Sequence, residues 1–221
     1  MPALVTNEDP LRHPALATAE ELTNSVSHAI GFVMAAAVLP LLVMSALDRG
    51  DPGYAIGAIV FALAVLLLYG VSSLYHALPP ARTKSVMQVI DHVAIFVLIA
   101  GTYTPFALGA LHGAWRWTIL GTVWGLGLFG IALKVLRGTR HPRLSLALYL
   151  ATGWLAVVAA KPLWLALTGW GIFWLAAGGV AYTAGVAFFL AERVRFGHFV
   201  WHLFVMAGTA CHGVAVLLCP A

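Results

Sequence analysis

Seven stretches of about 20 mainly apolar residues, near 25–46, 54–77, 88–110, 115–135, 144–163, 170–190 and 198–218, fill this chain almost completely. A helix needs that length to cross the hydrocarbon core of a bilayer. Helices that satisfy their own backbone are one of the few structures allowed there. The gaps hold the helix breakers and charges: Asp48 to Pro52, Pro79 to Lys84, Leu111 to Gly113, Arg137 to Arg143 and Glu192 to Arg195. Lys161 and Pro162 fall at the end of the fifth stretch, where a lysine stem reaches the interface, so that stretch is read as a span too. At 62% apolar and 9% charged, with a mean hydropathy of +0.93, the composition excludes a soluble globule, which carries roughly 25% charged residues. The expected fold is an all-α membrane protein of seven transmembrane helices in one domain, residues 23–221. A short polar tail over residues 1–22 precedes it and carries Glu8, Asp9, Glu20 and Glu21.

The formal charge of +4 does not signal nucleic acid, because the basic residues are scattered through short connections rather than gathered into a stripe. Their distribution reads as membrane topology. Arg12, Arg82, Lys84, Lys134, Arg137, Arg140, Arg143, Arg193 and Arg195 lie on one side, and only Arg49, Arg116 and Lys161 on the other. Cytoplasmic connections accumulate Lys and Arg, so this 9 to 3 division of the 12 basic residues places the N-terminus in the cytoplasm and, after an odd number of spans, the C-terminus outside. Cys211 and Cys219 are about 12 Å apart along one helix, too far to form a disulfide.

With that orientation, the ends of the second, third and seventh stretches bring His76, Asp91, His198 and His202 to one leaflet. Asp91 is the only carboxylate expected inside an apolar segment, an expensive position that calls for a partner unless the helix N-terminus alone accounts for it. His198 and His202 are spaced i, i+4 on one helical face, which suits chelation but also fits a simple hydrogen-bonded pair. His76 supplies a third imidazole. Three histidines with an open fourth position have the composition of a catalytic zinc shell, whereas structural zinc is normally closed by four protein ligands. Ser72, one turn before His76, is either a helper at the reacting carbonyl or a serine bonded to its own backbone. Asp91 is expected to act on water rather than as a necessary ligand.

Several other residues are set aside. His28, with Asn24 one turn earlier, is either behind the site or solvated at the interface, and His212 lies about 15 Å from His202 along the helix. His92 points about 100° away from Asp91, and His112 and His141 read as loop residues. Gly125-x-Gly127-x-x-Gly130 matches a dinucleotide-binding pattern but sits inside an apolar stretch with no strand before it. With Gly121 it reads instead as a close helix-packing motif.

The segments NSVSHAIGF, SSLYHAL, DHVAIFVLIAGTYTPF and HFVWHLFVMAGTACHGVAV, in that order over about residues 20–218, closely resemble the hemolysin III proteins. That family is the prokaryotic branch of the progestin and adiponectin receptor family and is similar to the alkaline ceramidases. The resemblance implies seven helices with a cytoplasmic N-terminus in the plasma (inner) membrane of a prokaryote. It also implies Zn2+ held by His76, His198 and His202, with Asp91 acting through water and Ser72 nearby.

The leading expectation is a zinc-dependent hydrolase in which Asp91 and Ser72 are catalytic and a membrane lipid is the substrate. Its target is an amide or ester bond, with no nucleic acid involved. Two alternatives stand beside it: a membrane-perturbing, cytolytic or pore-associated protein, and a receptor-like lipid-binding protein in which the metal only staples helices.

Overall fold

A computed structural model describes residues 14–191 and 194–219. Of the residues singled out above, Glu8, Asp9, Arg12, Glu192 and Arg193 lie outside the described residues. The described residues are helical almost throughout, with no strand among them. The order is α1 Pro14–Asp48, α2 Pro52–Ala77, α3 Arg82–Pro105, a π-helical turn Phe106–Ala110, α4 Gly113–Arg137, α5 Pro142–Gly153, a 3-10 turn Trp154–Val157, α6 Ala160–Ala166, α7 Gly169–Leu190 and α8 Gly197–Leu217.

The connections follow from local chemistry. Asp51 accepts hydrogen bonds from the backbone N–H of Gly53 and Tyr54, and Pro52 occupies the first turn of α2, where its missing N–H costs nothing. Thr168 caps α7 in the same way through Gly171. Gly138 closes α4 at a φ of 59°, a conformation that favours glycine.

Six helices are long and apolar enough to cross a membrane, and the bent pair Pro142–Val157 with Ala160–Ala166 makes a seventh if it is one span. That fifth apolar stretch, read as one continuous helix over 144–163, is instead broken and bends by 53°. The break covers residues 154–159, between α5 and α6, one turn ahead of Lys161 and Pro162. The other notable difference is at the start. α1 begins at Pro14, so residues 14–22, read as polar tail, are its first turns.

Large apolar side chains such as Val33, Leu41, Leu136 and Trp170 point outward, as expected where lipid is the solvent, and the helices meet through small residues. Gly57 on α2 lies against the backbone of Pro105, where the α-helical part of α3 gives way to the π-turn, and Gly101 lies against Ala64. At one end of the bundle Arg49, at the C-terminal end of α1, donates to the carbonyls of Leu217 and Cys219 at the end of α8. Ion pairs and histidines at the opposite end join the starts of α1, α3 and α8 to the end of α2.

The glycine motif of α4 is only half a packing motif. Gly127 and Gly130 are buried against Ala100 and Phe96 of α3, whereas Gly121 and Gly125 face outward with nothing near them. A Cβ at residue 130 would lie 2.2 Å from the Phe96 ring. Gly130→Leu is therefore expected to destabilise the bundle by about 1–3 kcal/mol through overpacking, and Gly121→Leu to leave it nearly unchanged. Thermal unfolding of both variants in the same detergent distinguishes the two positions, and equal losses would contradict the assignment.

Candidate metal centre

Three ring nitrogens, one each from His76, His198 and His202, lie within 4.8 Å of one another, the only such group of metal-ligating type among the described residues. The last turn of α2 contributes His76, and the first two turns of α8 contribute the other two at i, i+4. Their ring centroids are 5.1 Å apart for His76–His198, 5.1 Å for His76–His202 and 4.6 Å for His198–His202. Residues more than 120 positions apart in the chain thus share one point in space.

The hydrogen bonds behind the rings determine which nitrogen faces that point. Glu21 of α1 lies 3.2 Å from His76 Nδ1, and a carboxylate can only accept, so Nδ1 carries the proton and Nε2 keeps its lone pair. His76 Nε2 is buried and has no hydrogen-bond partner. The Ser27 hydroxyl donates to the Asn24 carbonyl at 2.7 Å, so at 2.9 Å its oxygen accepts from His202 Nδ1–H. The Asn24 carbonyl, 3.2 Å away, accepts from the same N–H. Two imidazoles therefore present Nε2 lone pairs to the cluster, the arrangement in which outer hydrogen bonds fix the tautomer of metal-binding histidines. An orphaned buried nitrogen and three neutral donors fit a divalent ion of the zinc type.

Sequence reasoning weighed Asn24 and His28 as lying behind the site but missed Glu20, Glu21 and Ser27 on α1. Glu21, assigned to the tail, also binds Lys84 at 2.5 Å and thereby ties the starts of α1 and α3 to His76. Glu20 accepts from the backbone N–H of Phe196, the left-handed residue that begins α8 two positions before His198. The signal was present: Glu20, Asn24, Ser27 and His28 recur at i, i+4, i+7 and i+8 and all are buried, a polar face turned inward on a mostly apolar helix. His28 stacks on His202 with centroids 3.7 Å apart, which places it behind a metal-facing ring rather than in solvent.

Asp91 and Ser72 are buried, adjacent, and on the wall of the cavity that the cluster faces. Asp91 is outside the group of mutually close donors, so it stands beside the cluster rather than within it. His92 does not point away as expected: it lines the same cavity and meets Lys134 of α4. His212 is buried deeper, 3.2 Å from the Leu175 carbonyl, and is separate from the cluster. His112 and His141 sit in connections, as read.

The cavity has a free volume of about 150 Å³. Its α3 wall runs from Asp91 to Tyr103, about 18 Å of helix. Asp91, His92 and Lys134 line it together with His198 and His202, Leu68, Ile95, Leu98, Leu150 and Val205 line much of the remainder, and His212 and Tyr182 add polar groups away from the cluster. Deeper hydroxyls are already engaged: Thr102 with the Leu98 carbonyl, Tyr103 with the Gly153 carbonyl and Tyr182 with Thr209. The wall thus combines ionisable side chains beside the histidines with a largely apolar remainder.

These features define a polytopic helical membrane protein with a three-histidine cluster, in which His76 and His202 are buried and His198 partly so. The family model for haemolysin-III related proteins matches residues 16–213, and the chain belongs to that family. It is 40% identical to the hemolysin-3 homolog of Bacillus subtilis over 90% of this chain and 93% of the relative. It is 39% identical to hemolysin-3 of Bacillus cereus, over 90% of each chain. The human monocyte to macrophage differentiation factor is 27% identical over 89% of this chain and 83% of its own.

Removing an outer hydrogen bond that orients a metal ligand typically weakens metal binding by about 10–100-fold. Glu21→Gln, which can offer His76 only a neutral acceptor, is expected to lower divalent-metal affinity toward the lower end of that range, and Glu21→Ala toward the upper. Competition titration against a chromophoric chelator measures this, and unchanged affinity in both variants would remove Glu21 from the site.

Proposed function

We propose that this protein is a zinc-dependent hydrolase that cleaves an amide or ester bond of a membrane lipid. The observation that carries this reading is a three-histidine cluster of which His198 and His202 line a largely apolar cavity inside the bundle. His76, His198 and His202 would hold the ion, whose chemistry is to polarise a carbonyl and make water acidic near neutral pH.

The chain's own residues supply the rest. The apolar walls receive an acyl chain and exclude bulk water, which aligns the bond near the polar end with the cluster. Asp91, buried beside the cluster and not among its mutually close donors, is the base that takes a proton from water and returns it to the leaving group. The Ser72 hydroxyl steadies Asp91 in the resting site and can turn to donate to the oxygen on which negative charge develops. Glu21 and Ser27 hold His76 and His202 in the required tautomer throughout.

Purified protein carrying stoichiometric zinc is expected to release fatty acid from a ceramide, an acylated amine or a lysolipid. His76→Ala should lose both metal and turnover, and Asp91→Asn should keep metal while losing turnover by about 100-fold or more. No release from any of these lipids by zinc-loaded wild type, or equal rates in all three proteins, would refute the reading.

The names of the Bacillus relatives suggest a second reading, lysis of membranes. The apolar side chains of Leu68, Ile95, Leu98, Leu150 and Val205 on the cavity wall argue against it, because a conducting path needs polar lining throughout. An ion current in liposomes that survives loss of all three histidines would favour lysis instead.

The basic-residue distribution supports a cytoplasmic N-terminus, which puts the histidine end of the bundle at the cytoplasmic face, and the Bacillus relatives support the inner membrane of a prokaryote. A single cysteine at position 82 in a cysteine-free background is expected to react with an impermeant maleimide only after the cells are opened. Labelling in intact cells would reverse the topology.

A further inference from the structure

A lysine in the last turn of a transmembrane helix normally extends its stem toward the interface and keeps its ammonium wet. Lys134 in α4 does the opposite. Only 2% of it is exposed, whereas Arg137 in the same turn is exposed. Its Nζ lies 3.3 Å from His92 Nδ1 and lines the same cavity as Asp91, His198 and His202. Tyr149 of α5 donates to the His92 carbonyl at 2.8 Å and fixes the α3 backbone at that point. Among the described residues no carboxylate is within ion-pair distance of Lys134.

A buried ammonium needs an anionic partner or a full set of acceptors. His92 Nδ1 can accept one of its three N–H bonds, which leaves donors directed at the cavity. The helix C-terminus favours a cation in this turn but does not explain why the chain turns inward. His198 and His202 of the cluster and the Lys134 ammonium line the same cavity, so a ligand held there meets both.

We infer that Lys134, held by His92, is an anion-binding subsite of the cavity, and that the amphiphile taken there carries a carboxylate or phosphate at its polar end. This rests on the reading of the cavity as a lipid site and, among the candidate substrates named above, favours a lysolipid with an anionic head. A lipid with a neutral head would leave the ammonium with no anion among the described residues within ion-pair distance.

The test uses three probes with the same chain, dodecanoate, dodecyl phosphate and dodecanol, bound to the full protein in a neutral detergent. Binding is followed by tryptophan emission, because Trp154 and Trp201 line the cavity. Wild type is expected to bind at least one anionic probe about tenfold or more tighter than dodecanol. Lys134→Met should bring the anionic and neutral probes within about threefold, and Lys134→Arg should retain most of the difference. The preference must persist after chelation, since it comes from the ammonium and not from metal. Selectivity for dodecanoate alone assigns a carboxylate, and selectivity for dodecyl phosphate alone a phosphate headgroup.

Equal binding of all three probes by wild type, loss of the preference on chelation, or its survival in Lys134→Met overturns the proposal. Should Lys134→Met fail to fold, Lys134→Gln replaces it, and the wild-type and chelated comparisons still decide. Because the readout is binding, its failure is separable from failure of the hydrolase: turnover without charge selectivity sinks only the subsite, and charge selectivity without turnover sinks only the enzyme.

Discussion

Two hydrogen bonds from imidazole Nδ1 groups to acceptors on α1 hold the centre of this protein together. Each fixes a tautomer, and each sends the opposite nitrogen toward a common point. Without Glu21 behind His76 and Ser27 behind His202, the rings would be free to turn and to spend their lone pairs elsewhere. The first helix is therefore the structural backing of a site whose three candidate ligands all come from α2 and α8.

That backing explains an otherwise costly feature of the sequence. Polar groups buried in a membrane bundle need partners, and α1 buries Glu20, Asn24, Ser25, Ser27 and His28 along one face. Glu20 holds the backbone where α8 begins, Glu21 joins His76 to Lys84, Ser25 pairs with Ser73 of α2, and Ser27 holds His202. Each bond crosses between helices, so the polar face aligns the bundle end in which the cluster sits. The opposite end closes by simpler means, with Arg49 on the last carbonyls of α8. Rigid closure there and a polar network here leave the cavity between them.

The cavity itself depends on irregularity. The fifth apolar stretch breaks between α5 and α6. Straight helices packed through glycine and alanine, as α2 and α3 are at Gly57 and Gly101, leave little room between them. The bent pair packs less regularly, and the slot opens on its inner side, lined by Leu146, Leu150 and Trp154.

Hydrophobic length alone settled that the chain is a helical membrane protein and where most of its spans lie, because lipid imposes a minimum apolar run and forbids unsatisfied backbone. Spacing and leaflet depth were enough to nominate His76, His198 and His202, since i, i+4 places two rings on one face and helix direction brings the third to the same end. What the sequence could not decide was which polar residues near helix ends turn inward. Glu21 read as tail, Lys134 as an ordinary interfacial base and His92 as facing away, yet all three surround the site. Such residues are equally at home in water or in a polar pocket, and only the packing of α1, α3 and α4 against their neighbours chooses between the two. The break in the fifth span is of the same kind, for an apolar run shows that a segment stays in lipid but not that it stays straight.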